Sequence, residues 1–250
     1  MDNVTLAGWI VIGFSAFLIG FSKTGLPGVG ILSILLVANV IPAGASTGFV
    51  LPLLIVGDVF AVGYYHRRAV WSHLVRLLPF AVIGVVVGYF AMKHVNDEQL
   101  CRIIGGIVLL LLCVNAWRNH VTRAEDAIPT SWWFAGAIGL FAGVTTMMAN
   151  AAGPIMVIYL LAMRLPKHEF VGTGAWYFLL INCFKVPFSG NLGLINLESL
   201  KLDLMLTPLV VTGAVAGIAL IKHIPDRLFR NTVEWVAAIA ALKLLVFPAF

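Results

Sequence analysis

Charge is scarce in this chain. Only 11% of its 250 residues are Asp, Glu, Lys or Arg, against the ~25% usual in soluble domains. Hydrophobic residues make up 61%, which leaves no stretch polar enough for a water-soluble domain. Cysteine is nearly absent too: Cys101, Cys113 and Cys183 all fall in apolar runs. With no CxxC and no Cys/His spacing, neither a disulfide framework nor a zinc site is expected. No GxxxxGK[ST] is present, so the chain has no ATP-hydrolysing part of its own. HExxH and paired carboxylates inside apolar runs are missing as well, which argues against a membrane-embedded enzyme. No catalytic residue, metal or cofactor is expected. The formal charge of +5 would suggest nucleic acid in a soluble protein. Here the basic residues lie in short gaps between apolar segments, where they set orientation in a bilayer.

What is present is long apolar sequence interrupted in two places. Ser22-Lys23-Thr24-Gly25-Leu26-Pro27-Gly28-Val29-Gly30 separates the runs Ala7–Phe21 and Ile31–Ile41. Each run is about 11–15 residues, short of the ~20 that a membrane-spanning helix needs. Three glycines and a proline cannot continue a straight helix, and a lysine sits among them. A broken helix whose N-terminus faces a ligand is how many transporters hold an anion. The second interruption is Thr145-Thr146-Met147-Met148-Ala149-Asn150-Ala151-Ala152-Gly153-Pro154. The rest of the chain is expected to hold the two breaks face to face.

Ten apolar segments can be marked, roughly 6–22, 28–41, 44–64, 73–92, 99–117, 131–147, 151–163, 170–190, 202–221 and 228–247. If the broken pieces re-enter rather than span, the count of membrane segments falls to eight. Alternate gaps carry Lys23; Arg67, Arg68 and Arg76; Arg118 and Arg123; Arg164 and Lys167; and Lys222, Arg227 and Arg230. The other gaps hold little beyond Lys93, Arg102 and Lys201, so the first set is placed in the cytoplasm and both termini outside. Met1-Asp2-Asn3 lacks the basic start of a cleaved signal peptide, so Ala7–Phe21 is expected to be retained.

The halves resemble each other. Ser46-Thr47-Gly48, followed by Leu53-Leu54-Ile55, matches Gly172-Thr173-Gly174, followed by Leu179-Leu180-Ile181. Pro79, Gly84 and Gly88 match Pro208, Gly213 and Gly217; Lys93-His94-Val95 and Asp97 match Lys222-His223-Ile224 and Asp226. The expected fold is an all-α polytopic transmembrane bundle of 8–10 membrane segments. It comprises two repeats, 1–117 and 131–250, joined by a cytoplasmic loop at 118–130. About five segments per half would invert one repeat relative to the other, with a broken or re-entrant pair in each and the ligand near the midplane.

These residues carry a family resemblance over nearly the whole chain. Gly20-Phe21-Ser22-Lys23-Thr24-Gly25-Leu26-Pro27-Gly28 is similar to the opening motif of the sulfite exporter TauE/SafE family, also called toluene-sulfonate uptake permeases. Leu51-Pro52-Leu53-Leu54 leading to Asp58, Tyr65-His66-Arg67-Arg68 and Trp71 continue the likeness. So do Ala152-Gly153-Pro154, Thr173-Gly174, Asn182 to Lys185, and Leu192-Gly193 in the second half. Met147–Gly153 departs from it, where a more glycine-rich stretch is expected. The resemblance implies movement of sulfite, sulfonates or related small anions across a bacterial cytoplasmic (inner) membrane by a multi-pass protein.

The substrate-binding candidates are Lys23, Thr24, Gly25, Gly28, Asn150, Gly153, Thr173, Asn182 and Lys185. Lys23 is either an anion ligand beside a helix start or a lysine that snorkels to headgroups. Thr24 offers a hydroxyl to an oxyanion or caps a helix. Asn150 and Thr173 are polar groups at the second break that could equally bond helix to helix. Lys185 lies deep in an apolar segment, where charge is costly and usually functional. Asn182, three residues earlier, shares its face. Asp58 is the coupling candidate: an Asp58–Lys185 pair would be either a proton-linked switch or a static ion pair. Gly84, Gly88, Gly213 and Gly217 make small-xxx-small patterns that read as close packing. The expected function is a secondary transporter exporting a small sulfur-containing anion by alternating access. An anion channel, or an uptake permease for a carboxylate or thiosulfate, is the alternative. Expected partners are the bilayer and the small anion, with protons one option for the coupling ion and a homodimer one option for assembly.

Overall fold

The computed structural model describes residues 5–38, 40–41, 43–92 and 132–246. The segment 99–117, the 118–130 loop and the repeat matches at Lys93, His94, Val95 and Asp97 lie outside these, as do Cys101, Arg102, Cys113, Arg118 and Arg123. Among the described residues the regular structure is helical throughout, with no strand.

In chain order the helices are α1 (Leu6–Thr24), α2 (Gly30–Ala38), α3 (Ala43–Tyr65), α4 (Trp71–Ala91), α5 (Trp132–Ala149), α6 (Gly153–Ala162), α7 (Lys167–Asn191), α8 (Leu197–His223) and α9 (Asp226–Val246). A single 3-10 turn, His66–Arg68, follows α3. The helices containing Leu6–Thr24, Ser46–Arg68, Trp71–Ala91, Trp132–Ala149 and Leu197–His223 are long and apolar enough to cross a membrane. Two others are short, as the interrupted sequence predicts. α2 has nine residues and α6 has ten, so each extends about 14–15 Å, half of a bilayer core. α6 is apolar all round and is buried inside the bundle from Pro154 to Ala162, as a helix without a polar face must be.

Glycine sets how the long helices meet. α1 packs on α8 and α4 packs on α5, the two most extensive helix pairings among the described residues, while α3 packs on α7. At the first contact a Cβ on Gly20 would strike the carbonyl oxygen of Val210, and one on Gly213 would strike that of Phe17. At the second, Gly84 abuts the Leu140 carbonyl and Gly143 abuts that of Ala81. The small-xxx-small patterns therefore bring backbone against backbone, the geometry that holds helices together where lipid supplies no hydrophobic drive.

The central pair is fixed at both ends. Near the start of α3, Gly48 lies against Leu194, just past the end of α7. Near the start of α7, Gly172 lies against Tyr65 and Arg68, just past the end of α3. The two helices thus run antiparallel, and their middles bring Asp58 opposite Asn182.

Candidate functional site: a cavity between two helix breaks

α1 ends with Lys23 in its last turn. The chain then reverses through Pro27-Gly28, with Gly28 at φ +101°, a backbone region that side chains rarely enter. The N–H of Gly30 donates to Ser22 Oγ at 2.9 Å, fastening the start of α2 to the end of α1. The second break closes differently. Asn150 takes φ +53°, a conformation that asparagine tolerates better than most residues. Its N–H reaches the Thr146 carbonyl at 3.1 Å, the bond of a left-handed helix cap. α6 then starts at Gly153 with Pro154 in its first turn, where a missing N–H costs nothing.

A cavity lies between these breaks. Ser22, Lys23 and Gly28 line it from the first, and Asn150, Gly153 and Pro154 from the second; Phe178 and Asn182 close it from α7. Both short helices begin at its wall, so their first N–H groups and dipoles place partial positive charge there. A Cβ on Gly153 would meet nothing within 4 Å.

Two linked polar clusters stand around the cavity. Lys23 Nζ is 2.8 Å from Asp58 Oδ1 and 4.1 Å from the centre of the Phe178 ring. Asn182 Nδ2 donates to Asp58 Oδ2 at 2.7 Å. On the other side, Lys185 Nζ donates to Asn150 Oδ1 at 2.5 Å and to Thr146 Oγ1 at 3.2 Å. Asn150 Nδ2 in turn donates to the Thr47 carbonyl at 2.9 Å. Lys185 and Asp58 are fully buried, whereas 11% of the Lys23 side chain stays accessible. The two clusters together hold two lysines and one aspartate, and Lys185 has no carboxylate of its own in them.

The expected Asp58–Lys185 pair is therefore replaced by Asp58–Lys23. The cause is register. Gly57 leaves room for the Lys23 stem, whose Cγ lies 3.1 Å from where a Cβ would stand, so the α1 lysine reaches Asp58. Along α7, Asn182 meets Asp58, and Lys185, nearly a turn on, meets α5 instead.

Of the candidate residues, Lys23, Gly28, Asn150, Gly153 and Asn182 line the cavity, and Lys185 stands behind Asn150. Three others face elsewhere. Thr24 Oγ1 donates to the Ala214 carbonyl at 2.7 Å and to that of Gly20 at 3.2 Å. Gly25 packs on Gly217. Thr173 Oγ1 accepts the Val70 N–H at 2.9 Å. Sequence reasoning overlooked Phe178 and Ser22. Phe178 precedes Asn182 by four residues, so the helical repeat could have found it.

Lys185→Met keeps the volume and removes the donors that hold Asn150. We expect the variant to insert normally and to lose at least tenfold in anion flux, read in proteoliposomes against the amount of folded protein. Unchanged flux would mean that Asn150 keeps its place without the lysine.

An all-helical, multi-pass membrane protein with two interrupted helices meeting at a lysine-lined cavity has the architecture of a membrane transporter. The family model described as Sulfite exporter TauE/SafE matches residues 6–244, and the chain belongs to that family. The family moves sulfur-containing anions and is one of transporters rather than enzymes. No curated protein and no solved structure matches the chain.

Proposed function

We propose that this protein is a secondary transporter that exports a small sulfur-containing anion, sulfite or an organosulfonate, across the cytoplasmic membrane by alternating access. The observation that carries the reading is the position of Lys23. Its ammonium lines a cavity at whose wall two short helices begin. An anion there would take a charge-assisted bond from Lys23 and weaker ones from the helix starts.

Asp58 holds Lys23 through their ion pair. A substrate oxygen competes with that carboxylate for the ammonium, and protonating Asp58 releases the lysine to the substrate. The coupling role of Asp58 thus acts through Lys23. With the Arg67–Arg68 end cytoplasmic, a membrane potential negative inside favours anion exit by about 2.3 kcal/mol per charge per 100 mV. The reciprocal packing of α1 on α8 and α4 on α5, about an antiparallel α3–α7 pair, supports two inverted halves moving against each other.

The test is counterflow. Proteoliposomes preloaded with unlabelled sulfite should take up external labelled sulfite transiently above equilibrium, with a saturable rate. A rate that rises linearly with concentration and shows no counterflow would identify an open anion pore. Counterflow supported by a carboxylate or thiosulfate, and not by sulfite, would move the substrate to that anion.

A further inference from the structure

A second buried acid lies away from the anion cavity. Asp203, in the second turn of α8, is only 4% exposed. Neither of its carboxylate oxygens has a hydrogen-bond partner among the described residues. It shares a helix face with Leu206 and Val210, at spacings of three and seven, and these pack into the apolar cluster formed with Ile12 of α1 and Phe49 and Leu53 of α3. By contrast, Asp58 is matched by Lys23 and Asn182.

We propose that Asp203 is a proton-binding site of the transport cycle, separate from the anion cavity, and that its proton is released only when α8 parts from its neighbours. This rests on the transport reading above. The titratable groups on the helices packed against α8 are Lys23 on α1 and Asp58, Tyr64 and Tyr65 on α3; α8 itself carries Glu198, Lys201, Lys222 and His223. None of them bonds Asp203. A bare carboxylate among apolar side chains with no partner is among the costliest arrangements a protein can hold, so the packed state shown here holds the proton. A state in which water reaches Asp203 releases it. Protonation and helix separation then bias one equilibrium. α1, packed on α8 through Gly20 and Gly213, carries that bias to Lys23 at its far end. A metal ion does not suit the position. Among the described residues no group of three or more His, Cys, Asp or Glu could hold one, and the Thr207 hydroxyl is already bonded to the Asp203 carbonyl oxygen.

Two measurements on the full chain decide it. Asp203→Asn keeps the shape and cannot release a proton. In proteoliposomes its sulfite counterflow without a pH difference should stay within about twofold of the unsubstituted protein. Its accumulation of sulfite under an imposed pH difference should fall about tenfold per pH unit for the one proton lost. Accumulation equal to that of the unsubstituted protein would overturn the proposal. The second measurement does not depend on the substrate. Dicyclohexylcarbodiimide adds across the O–H of a protonated carboxylic acid in apolar surroundings, and the whole reagent stays on the side chain as an acylurea. Peptide mass spectrometry should find the adduct on Asp203, decreasing as pH rises. No adduct at any pH, or one independent of pH, would contradict the proposal. Absence of sulfite counterflow in the unsubstituted protein would instead count against the transport reading, with the labelling still deciding Asp203.

Discussion

Lys23→Ala is expected to reduce sulfite flux about 100-fold while the protein still inserts in the membrane. A bond between an ammonium and an oxyanion contributes about 1.5–3 kcal/mol, and each 1.4 kcal/mol is about tenfold in affinity. The substitution removes the cavity's lysine ammonium, because that of Lys185 is turned toward Asn150 and Thr146. It also strands Asp58. Removing one partner of a buried ion pair costs about 3–5 kcal/mol, so a loss of flux could be mistaken for a loss of fold. The double variant Lys23→Ala/Asp58→Asn separates the two effects, since it removes the stranded charge together with the lysine. It should regain most of the thermal stability, measured by unfolding in detergent, and none of the flux. Flux that returned along with stability would show that Lys23 serves only to neutralise Asp58.

The second large effect is structural. Gly213→Val should prevent recovery of monodisperse protein, because its Cβ would fall on the Phe17 carbonyl, and main chain cannot swing aside as a side chain can. Overpacking usually costs about 1–3 kcal/mol, and a backbone collision lies at or above the top of that range. Gly84→Val should behave alike, through the Leu140 carbonyl. Gly63 of α3 is the control, since a Cβ there meets nothing within 4 Å. Gly63→Ala should be neutral or stabilising by up to about 1 kcal/mol, the helix propensity gained. Size-exclusion profiles and melting temperatures of the three variants, purified side by side, check this. Equal behaviour of all three would mean that the helix pairs are not held by close backbone contact.

Much of this arrangement was legible in the sequence, for identifiable reasons. The breaks at Ser22–Gly30 and Thr145–Pro154 were visible because glycine, proline and a left-handed asparagine leave a compositional mark wherever a helix must end inside a membrane. Lys185 stood out because a charge deep in an apolar run is costly and usually functional. The glycine pairs on α4 and α8 announced close packing by their spacing alone.

What the sequence could not give was direction around each helix. Thr24 follows Lys23 by one residue and is therefore turned about 100° from it. That rotation takes its hydroxyl from the cavity to the α8 backbone. Thr173 lies nine residues before Asn182, about 13 Å along the same helix, where it bonds the chain entering α4. Asp58 was recognisable as a buried acid, but the choice between two lysines depended on the space above Gly57. A residue list does not show that space. Asp203 was passed over because it lies near a helix start, where an acid ordinarily reaches water.

The central claim, that Lys23 and the two helix breaks form an anion site, is tested most directly by equilibrium binding of radiolabelled sulfite to the purified protein, compared with Lys23→Ala/Asp58→Asn. Binding that saturates at one anion per chain and is weakened about 100-fold in the double variant is the predicted result. Equal affinity in the two proteins would place the anion elsewhere and contradict the account.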